Sequence, residues 1–424
     1  MKYATVTFGC RVNQADTMSI ERDLRTRGAV PSPVADADVV IVNSCSVTAS
    51  ADQGTRQSIR RVARDNPNAR IVVTGCYATR CPSEVAALPG VVAVVPNHRK
   101  EMLADEWVTT ADRFAGADGP CGAPQFLPTY ENRKGPGPEF YLDRTALTLR
   151  VQTGCDEHCS YCIIPSTRGT SASRPAADIV GDLRRAEASG FLEVTLTGVH
   201  LGAYGRDLSP AGSLADLLEA AVHCTVGVTL RIGSLEPADV PDALGALAAS
   251  GRLAPAFHLP LQHASDAVLA RMRRPYTLDG YRRIVDRLRE ELPHAALGSD
   301  IIVGFPGESD DEFTGLCAYL ESSPLTALHV FPYSDRPGTE ASAMSGKIAP
   351  PVIKERGRIV REIGQQLSAR FRASQEGSVR PALTIEDGRV AVTDNGIRVP
   401  VAGGHRRNER VMAAIPYGDR GIGA

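Results

Sequence analysis

The sequence predicts an α/β protein of three parts: an N-terminal doubly wound parallel sheet, a central partial (β/α)6 TIM-like barrel and a small C-terminal all-β barrel. Strand-length apolar runs alternate with helical stretches through residues 1–100 and again through 146–340. Strands apolar on both faces belong in parallel sheets covered by helices on both sides. From Gly377 onward the pattern changes to short β-like runs joined at Asp387-Gly388 and Asn395-Gly396, which are hairpin signals. A chain of 424 residues also exceeds one ordinary domain.

In the first part, residues 1–100, strands are expected over Tyr3–Phe8, Asp38–Val42, Arg70–Thr74 and Val91–Val95. Helices are expected over Asp16–Arg27, Ala51–Asp65 and Pro82–Leu88. Residues 101–140 hold Gly135-Pro-Gly-Pro and other loop punctuation, and read as an interdomain linker. The barrel, residues 141–340, draws its strands from Leu147–Val151, Glu193–Thr197, Gly227–Ile232, Ala256–Pro260, Gly298–Val303 and Thr326–Phe331. The helices between them fall over Ala177–Ser189, Leu214–Val222, Pro241–Ala249, Leu278–Leu292 and Asp310–Glu321. A charged connecting helix over 341–375 leads to the C-terminal module, 376–424, with strands at Arg380–Ile385, Arg389–Thr393, Gly396–Val401 and Arg410–Ile415.

Composition is that of a globular protein, 43% hydrophobic and 5% aromatic, with a net charge of −2 that advertises no global field for nucleic acid. Any RNA contact must come from local clusters. Arg398, Arg406, Arg407 and Arg410 in the C-terminal module are one candidate, and the stripe Arg271, Arg273, Arg274, Arg282 and Arg283 is another. A solvated surface is the alternative reading of the first. No apolar run approaches the roughly 18 residues of a membrane span. Ten cysteines without export signals point to metal or redox chemistry in a reducing compartment, the cytoplasm by default.

The cysteines fall into two trios. Cys155, Cys159 and Cys162 form a C-x3-C-x2-C run in one short loop between Gly154 and Pro165, directly after the first barrel strand. Barrel chemistry sits on the loops after strands. Three thiolates so close can grip three corners of an iron–sulfur cube and leave one iron open. A zinc knuckle is the alternative, but zinc sites close with four ligands and the nearby candidate, His158, lies inside the run. Cys10, Cys45 and Cys76 each follow a strand of the N-terminal sheet, where parallel sheets bind ligands, and together suit a second cluster. Small buried hydrophobes are the alternative reading. Cys81 breaks the pattern, Cys121 reads as a free linker thiol, and Cys224 and Cys317 as structural. By position on strand-end loops, Gly198, Glu236, Gln262 and Gly304 are candidates to bind a cofactor; Gly198 and Gly304 allow close approach to the backbone. His200, His258 and His263 read as ordinary strand or loop histidines.

The cysteine loop, with Tyr161 before its last cysteine, resembles the signature of the radical S-adenosylmethionine (radical SAM) enzymes. The whole chain resembles the methylthiotransferases of that superfamily. The likeness rests on Thr7-Phe-Gly-Cys10-Arg-Val-Asn13-Gln, Val42-Asn43-Ser-Cys45, Thr74-Gly-Cys76, Arg168-Gly169, Leu196-Thr-Gly-Val-His-Leu-Gly202, His258-Leu-Pro-Leu-Gln262, Arg271-Met-Arg-Arg274 and Asp300-Ile-Ile-Val-Gly-Phe-Pro-Gly-Glu308. The resemblance implies S-adenosylmethionine and two 4Fe-4S clusters as cofactors, with Cys155, Cys159 and Cys162 on one and Cys10, Cys45 and Cys76 on the auxiliary one. It implies a TRAM-like RNA-binding module at the C-terminus and an electron donor such as flavodoxin or ferredoxin. Gly9-Cys10-Arg-Val-Asn13-Gln, Ile163-Ile164-Pro165 and His329-Val-Phe-Pro-Tyr-Ser334 look most like the branch acting on N6-threonylcarbamoyladenosine at position 37 of tRNA, which it methylthiolates at C-2. A base in the anticodon loop is readily unstacked into a buried site. The alternatives are methylthiolation of a protein aspartate or a biosynthetic peptide, and a non-catalytic iron–sulfur RNA-binding adaptor, which would have no use for an open iron.

Overall fold

A computed structural model of the chain describes residues 1–108 and 145–418. Cys121 and most of the expected linker lie outside these residues. Two compact units divide the chain: Met1–Phe140 with Ser166–Arg168, and Tyr141–Pro165 with Gly169–Ala424.

The first unit is built on β1 (Lys2–Thr7), β2 (Val30–Pro31), β3 (Val39–Ser44), β4 (Arg70–Gly75) and β5 (Val91–Val95). They form one parallel sheet in the order β2-β1-β3-β4-β5. Successive side chains of a strand point to opposite faces, and here both faces are covered. Val40, Val42, Ile71 and Val73 pack on Ile59 and Val62 of the helix Ala49–Asp65. Val39, Ile41 and Val72 pack on Ile20 and Leu24 of the helix Arg11–Thr26. That second helix starts five residues before the expected Asp16. Its first turn carries Asn13, which looks like a loop residue by composition but is buried and hydrogen-bonded.

In the second unit the strands are β6 (Leu147–Arg150), the short pair β7 (Gln152–Thr153) and β8 (Ala172–Ser173), β9 (Glu193–Thr197), β10 (Thr229–Ile232), β11 (Ala256–His258), β12 (Ala296–Val303) and β13 (Ala327–Pro332). Two parallel three-stranded sheets result, β10-β9-β6 and β11-β12-β13. A parallel bridge from Leu230 to Leu253 links them, so six strands make a partly closed barrel. Antiparallel β7 and β8 bracket the cysteine loop.

The helix Pro350–Gln375 runs along β13, where Leu328 touches Gly364. Buried Arg356 on this helix donates to Glu308 Oε1 at 2.7 Å. The chain then forms β14 (Val379–Ile385), β15 (Val390–Thr393), β16 (Arg398–Pro400) and β17 (Arg410–Ala414), an antiparallel sheet in the order β16-β15-β14-β17. This module docks beneath the amino ends of the barrel strands. Arg231 donates to Thr393 O at 3.2 Å, Asn395 to His294 O at 2.9 Å and Asn408 to Gly190 O at 3.0 Å.

Candidate metal centres and active site

Cys10, Cys45 and Cys76 leave the carboxyl ends of β1, β3 and β4, three neighbouring strands in register at Thr7–Asn43 and Ser44–Gly75. Cys10 is exposed, while Cys45 and Cys76 are buried. Gly9 turns the chain out of β1 at φ 91°, and a Cβ there would stand 2.5 Å from Cys45 Sγ. Burial pushes the Cys45 thiol up to about 11, and the charges of Cys10 and Cys76 push the same way. Asn97 Nδ2 approaches Cys76 Sγ at 3.6 Å. Cys81 stands apart, packed against the apolar core below.

The second trio is held by backbone. Cys155 N donates to Gly169 O at 3.1 Å and Cys162 N to Cys159 O at 3.0 Å. Ser160 is clamped on three sides: its N donates to Met272 O, its Oγ to Arg271 O, and its own O accepts from Ala341 N. Tyr161 meets Phe305 edge-on. Burial pushes the Cys162 thiol up to about 12, with the charges of Cys159 and Cys155 adding to the effect. Such thiols ionise when a metal takes the place of the proton.

Gly154 has φ 70°, and a Cβ on it would fall 1.8 Å from Thr170 O. Gly154→Ala is therefore expected to displace the loop and remove the iron it would hold, about four atoms per chain. Gly190→Ala is the control: φ is 83° but nothing lies within 4 Å, so it costs only the roughly 1–2 kcal/mol of the left-handed backbone. Iron content and thermal melting of the two variants check this.

Around this loop the barrel places a polar shell. Gln152 donates to Thr153 O, Gly154 O and Ser171 Oγ, and its Oε1 accepts from His200 N at 2.9 Å. His200 lies 2.7 Å from Asp239 Oδ2 and 3.8 Å from Cys155 Sγ. Burial opposes charge on His200, but these two contacts outweigh it and lift its pKa to about 10. Arg274, 4% exposed, donates to Cys159 Sγ at 3.2 Å, pairs with Glu236 and stacks 5.0 Å over the Tyr276 ring. Burial raises the Glu236 carboxyl even against Arg274.

Of the other expected cofactor positions, Gly198 fits tightly against Gln152, and the open side of Gly304 is filled by Ile353. Gln262 is buried at φ 67°, a conformation costing a non-glycine residue of order 1–3 kcal/mol. One strand register away, Asp300 Oδ1 accepts from His258 at 2.9 Å and lies 3.3 Å from His329. Burial works against the Asp300 charge, yet the two histidines bring its pKa down to about 2.

Among the described residues, His258, Asp300 and His329 bring ligand atoms within 4.8 Å of one another. Each cysteine trio offers three thiols, which suit three corners of an iron–sulfur cube.

Residues 2–96 match the family model described as uncharacterized protein family UPF0004, and residues 149–320 match the radical SAM superfamily. The threonylcarbamoyladenosine tRNA methylthiotransferase MtaB of Bacillus subtilis is 35% identical over 385 residues, 89% of this chain and 84% of its own length. The chain belongs to the radical SAM methylthiotransferase family. MtaB of Aquifex aeolicus is 34% identical over 94% of this chain and 96% of itself. A tRNA-2-methylthio-N(6)-dimethylallyladenosine synthase of Parafrankia is 33% identical over 84% of this chain and 72% of itself. Among solved structures, the radical SAM methyltransferase TsrM of Kitasatospora setae superposes with a TM-score of 0.57 at 17% identity, covering 80% of this chain and 76% of its own; the likeness is one of fold. This methylthiotransferase uses S-adenosylmethionine and two 4Fe-4S clusters.

The basic stripe expected in the barrel of this methylthiotransferase does not form one surface. Arg274 is buried at the cysteine loop, while Arg271, Arg273 and Arg283 pair with Glu312, Glu340 and Asp279. In the C-terminal module Arg410 donates to Leu192 O, Arg407 to Thr145 Oγ1 and Arg398 to Glu386, while Arg406 is exposed. Asp239, Arg356 and Lys100 are each recognised through a partner distant in the chain, and local sequence pattern offers no signal for that.

Proposed function

We propose that this methylthiotransferase acts on N6-threonylcarbamoyladenosine at position 37 of tRNA and places the methylthio group at C-2. The observation that carries the reading is the similarity to two MtaB enzymes at 34–35% identity along most of both chains. Cys155, Cys159 and Cys162 hold the cluster that, when bound, supplies the electron by which S-adenosylmethionine is cleaved to a 5′-deoxyadenosyl radical. Cys10, Cys45 and Cys76 hold the auxiliary cluster.

The chain's own residues orient and shelter this chemistry. Gln152 ties the loop to the His200 backbone, Asp239 orients His200 beside Cys155, and Arg274 offers a fixed positive charge to Cys159. Glu236, Gln262 and Gly198 are the strand-end positions offered to S-adenosylmethionine, whereas Gly304 is closed off by Ile353. Arg398, Arg406 and Arg407 offer phosphate contacts, with Arg410 securing the module that carries them. A flavodoxin or ferredoxin in the cytoplasm supplies the electron. No helix among the described residues is long and apolar enough to cross a membrane.

Mass spectrometry of tRNA nucleosides from a deletion strain tests the reading. Loss of 2-methylthio-N6-threonylcarbamoyladenosine, with its unmethylthiolated precursor accumulating, is expected. An unchanged level of that nucleoside removes the proposal. Loss of the dimethylallyl counterpart instead transfers the activity to the other tRNA branch.

A further inference from the structure

Beneath the three strand-end cysteines of the first unit lies a buried charged network. Lys100, 5% exposed, sits in the turn Asn97–Met102. Its Nζ donates to Asp16 Oδ2 at 2.9 Å and to Asn43 Oδ1 at 3.2 Å. Arg168, 2% exposed and part of the same compact unit, donates to the same Asp16 oxygen at 3.0 Å and to Asn13 Oδ1. Asn13 Nδ2 in turn donates to Phe8 O at 2.8 Å and Ser44 O at 2.9 Å, and Asn43 Nδ2 to Asn13 O at 2.8 Å. Phe8 directly follows β1 and Ser44 ends β3, the strands from which Cys10 and Cys45 emerge. On the third side, Asn97, in the same turn as Lys100, reaches Cys76 Sγ and Thr167 O.

Two cations therefore share Asp16 directly under a trio of thiols. A lysine taken fully out of water is costly unless opposite charge lies close by. Burial depresses the Lys100 ammonium, and what works against that is Asp16 and the charge of Cys76. Cys76 and Cys10 act on Arg168 in the same sense. When the trio ligates iron, three thiolates around a dicationic core leave a net negative charge at this position. The buried cations then face an anion.

We propose that Lys100 is a positioning residue for the auxiliary centre: its buried charge favours the anionic, metal-ligated state of Cys10, Cys45 and Cys76 and raises the reduction potential of the centre bound there. Asp16 tempers the same field with the opposite sign, and the asparagines transmit the fixed geometry to the strand ends.

The proposal rests on an iron–sulfur centre at these cysteines, and the test separates the two claims. In the full-length chain with Cys155, Cys159 and Cys162 replaced by alanine, about four irons per chain after anaerobic reconstitution establish the centre itself. Its midpoint potential is then followed by EPR-monitored redox titration in Lys100→Met, Lys100→Arg and Asp16→Asn. Lys100→Met is expected to shift the reduced-to-oxidised ratio at fixed potential about tenfold toward oxidised, which is about 59 mV for one electron. Asp16→Asn is expected to shift it the other way, and Lys100→Arg to restore the parent value. A purely structural network predicts no such reversal of sign. Unchanged potentials, or shifts of both variants in one direction, overturn the proposal. So does loss of iron from a still-folded Asp16→Asn protein. If Lys100→Met does not fold, Asp16→Asn decides alone: a potential that fails to rise overturns the inference.

Discussion

Replacing Cys155 by alanine is expected to lower reductive cleavage of S-adenosylmethionine by at least about a thousandfold, the scale on which losing one member of a unit that acts together is felt. Bound iron should fall from about eight to about four atoms per chain. The effect is local. The loop is held by Ser160 and Gln152 through bonds to Met272 O, Arg271 O and Gly154 O that do not involve the Cys155 thiol. Cys155 is only partly buried, so its removal leaves little cavity, and thermal melting should barely change. Cleavage surviving in Cys155→Ala at the parent rate would remove the cluster from this loop. Cys159→Ala should do the same to iron, and it also leaves Arg274 with one fewer acceptor, since the guanidinium donates to Cys159 Sγ and to Glu236.

What could be read in advance followed from short-range pattern. Val39–Val42 and Ile71–Val73 are apolar at every position, which only a strand covered on both sides tolerates, and each of these strands runs into a cysteine. The placement of Cys10, Cys45 and Cys76 on one edge was therefore legible. So was the loop after β6, because C-x3-C-x2-C carries its chemistry in its spacing. What was not legible depends on contacts between distant segments. Arg274 looks like one arginine in a basic stripe until Glu236, 38 residues away, is seen to meet it. Gly304, open to a cofactor by its place after a strand, turns toward Ile353 on a helix whose register the strand pattern does not contain. Arg410 resembles a phosphate contact, yet the docking of the C-terminal module puts Leu192 O and Gly227 O within its reach. Lys100 follows a strand in an ordinary polar stretch, and nothing near it in sequence marks it as buried.

Cys45→Ala is expected to separate the two halves of the chemistry. Cleavage of S-adenosylmethionine should continue, because the loop after β6 and its shell are built within the second unit. Methylthiolated product should fall below detection, and iron should again drop to about four atoms per chain. Cys45 is the member of its trio best suited to this test. It projects from β3, between β1 and β4, so both neighbouring cysteines flank it, and their charges are felt at its thiol. It is also 4% exposed, so a small stability loss of about 1 kcal/mol is expected from the vacated volume. That is too little to unfold a domain with cores on both faces of its sheet. The room is there because Gly9 lies against it: a side chain at position 9 would already collide with Cys45 Sγ at 2.5 Å. Measuring 5′-deoxyadenosine and modified nucleoside in the same reaction checks the prediction. Product formed at the parent rate by Cys45→Ala would mean that sulfur does not pass through the strand-end cysteines. A parallel loss of 5′-deoxyadenosine would mean that the trio serves radical formation rather than the step that distinguishes a methylthiotransferase from other enzymes of its superfamily.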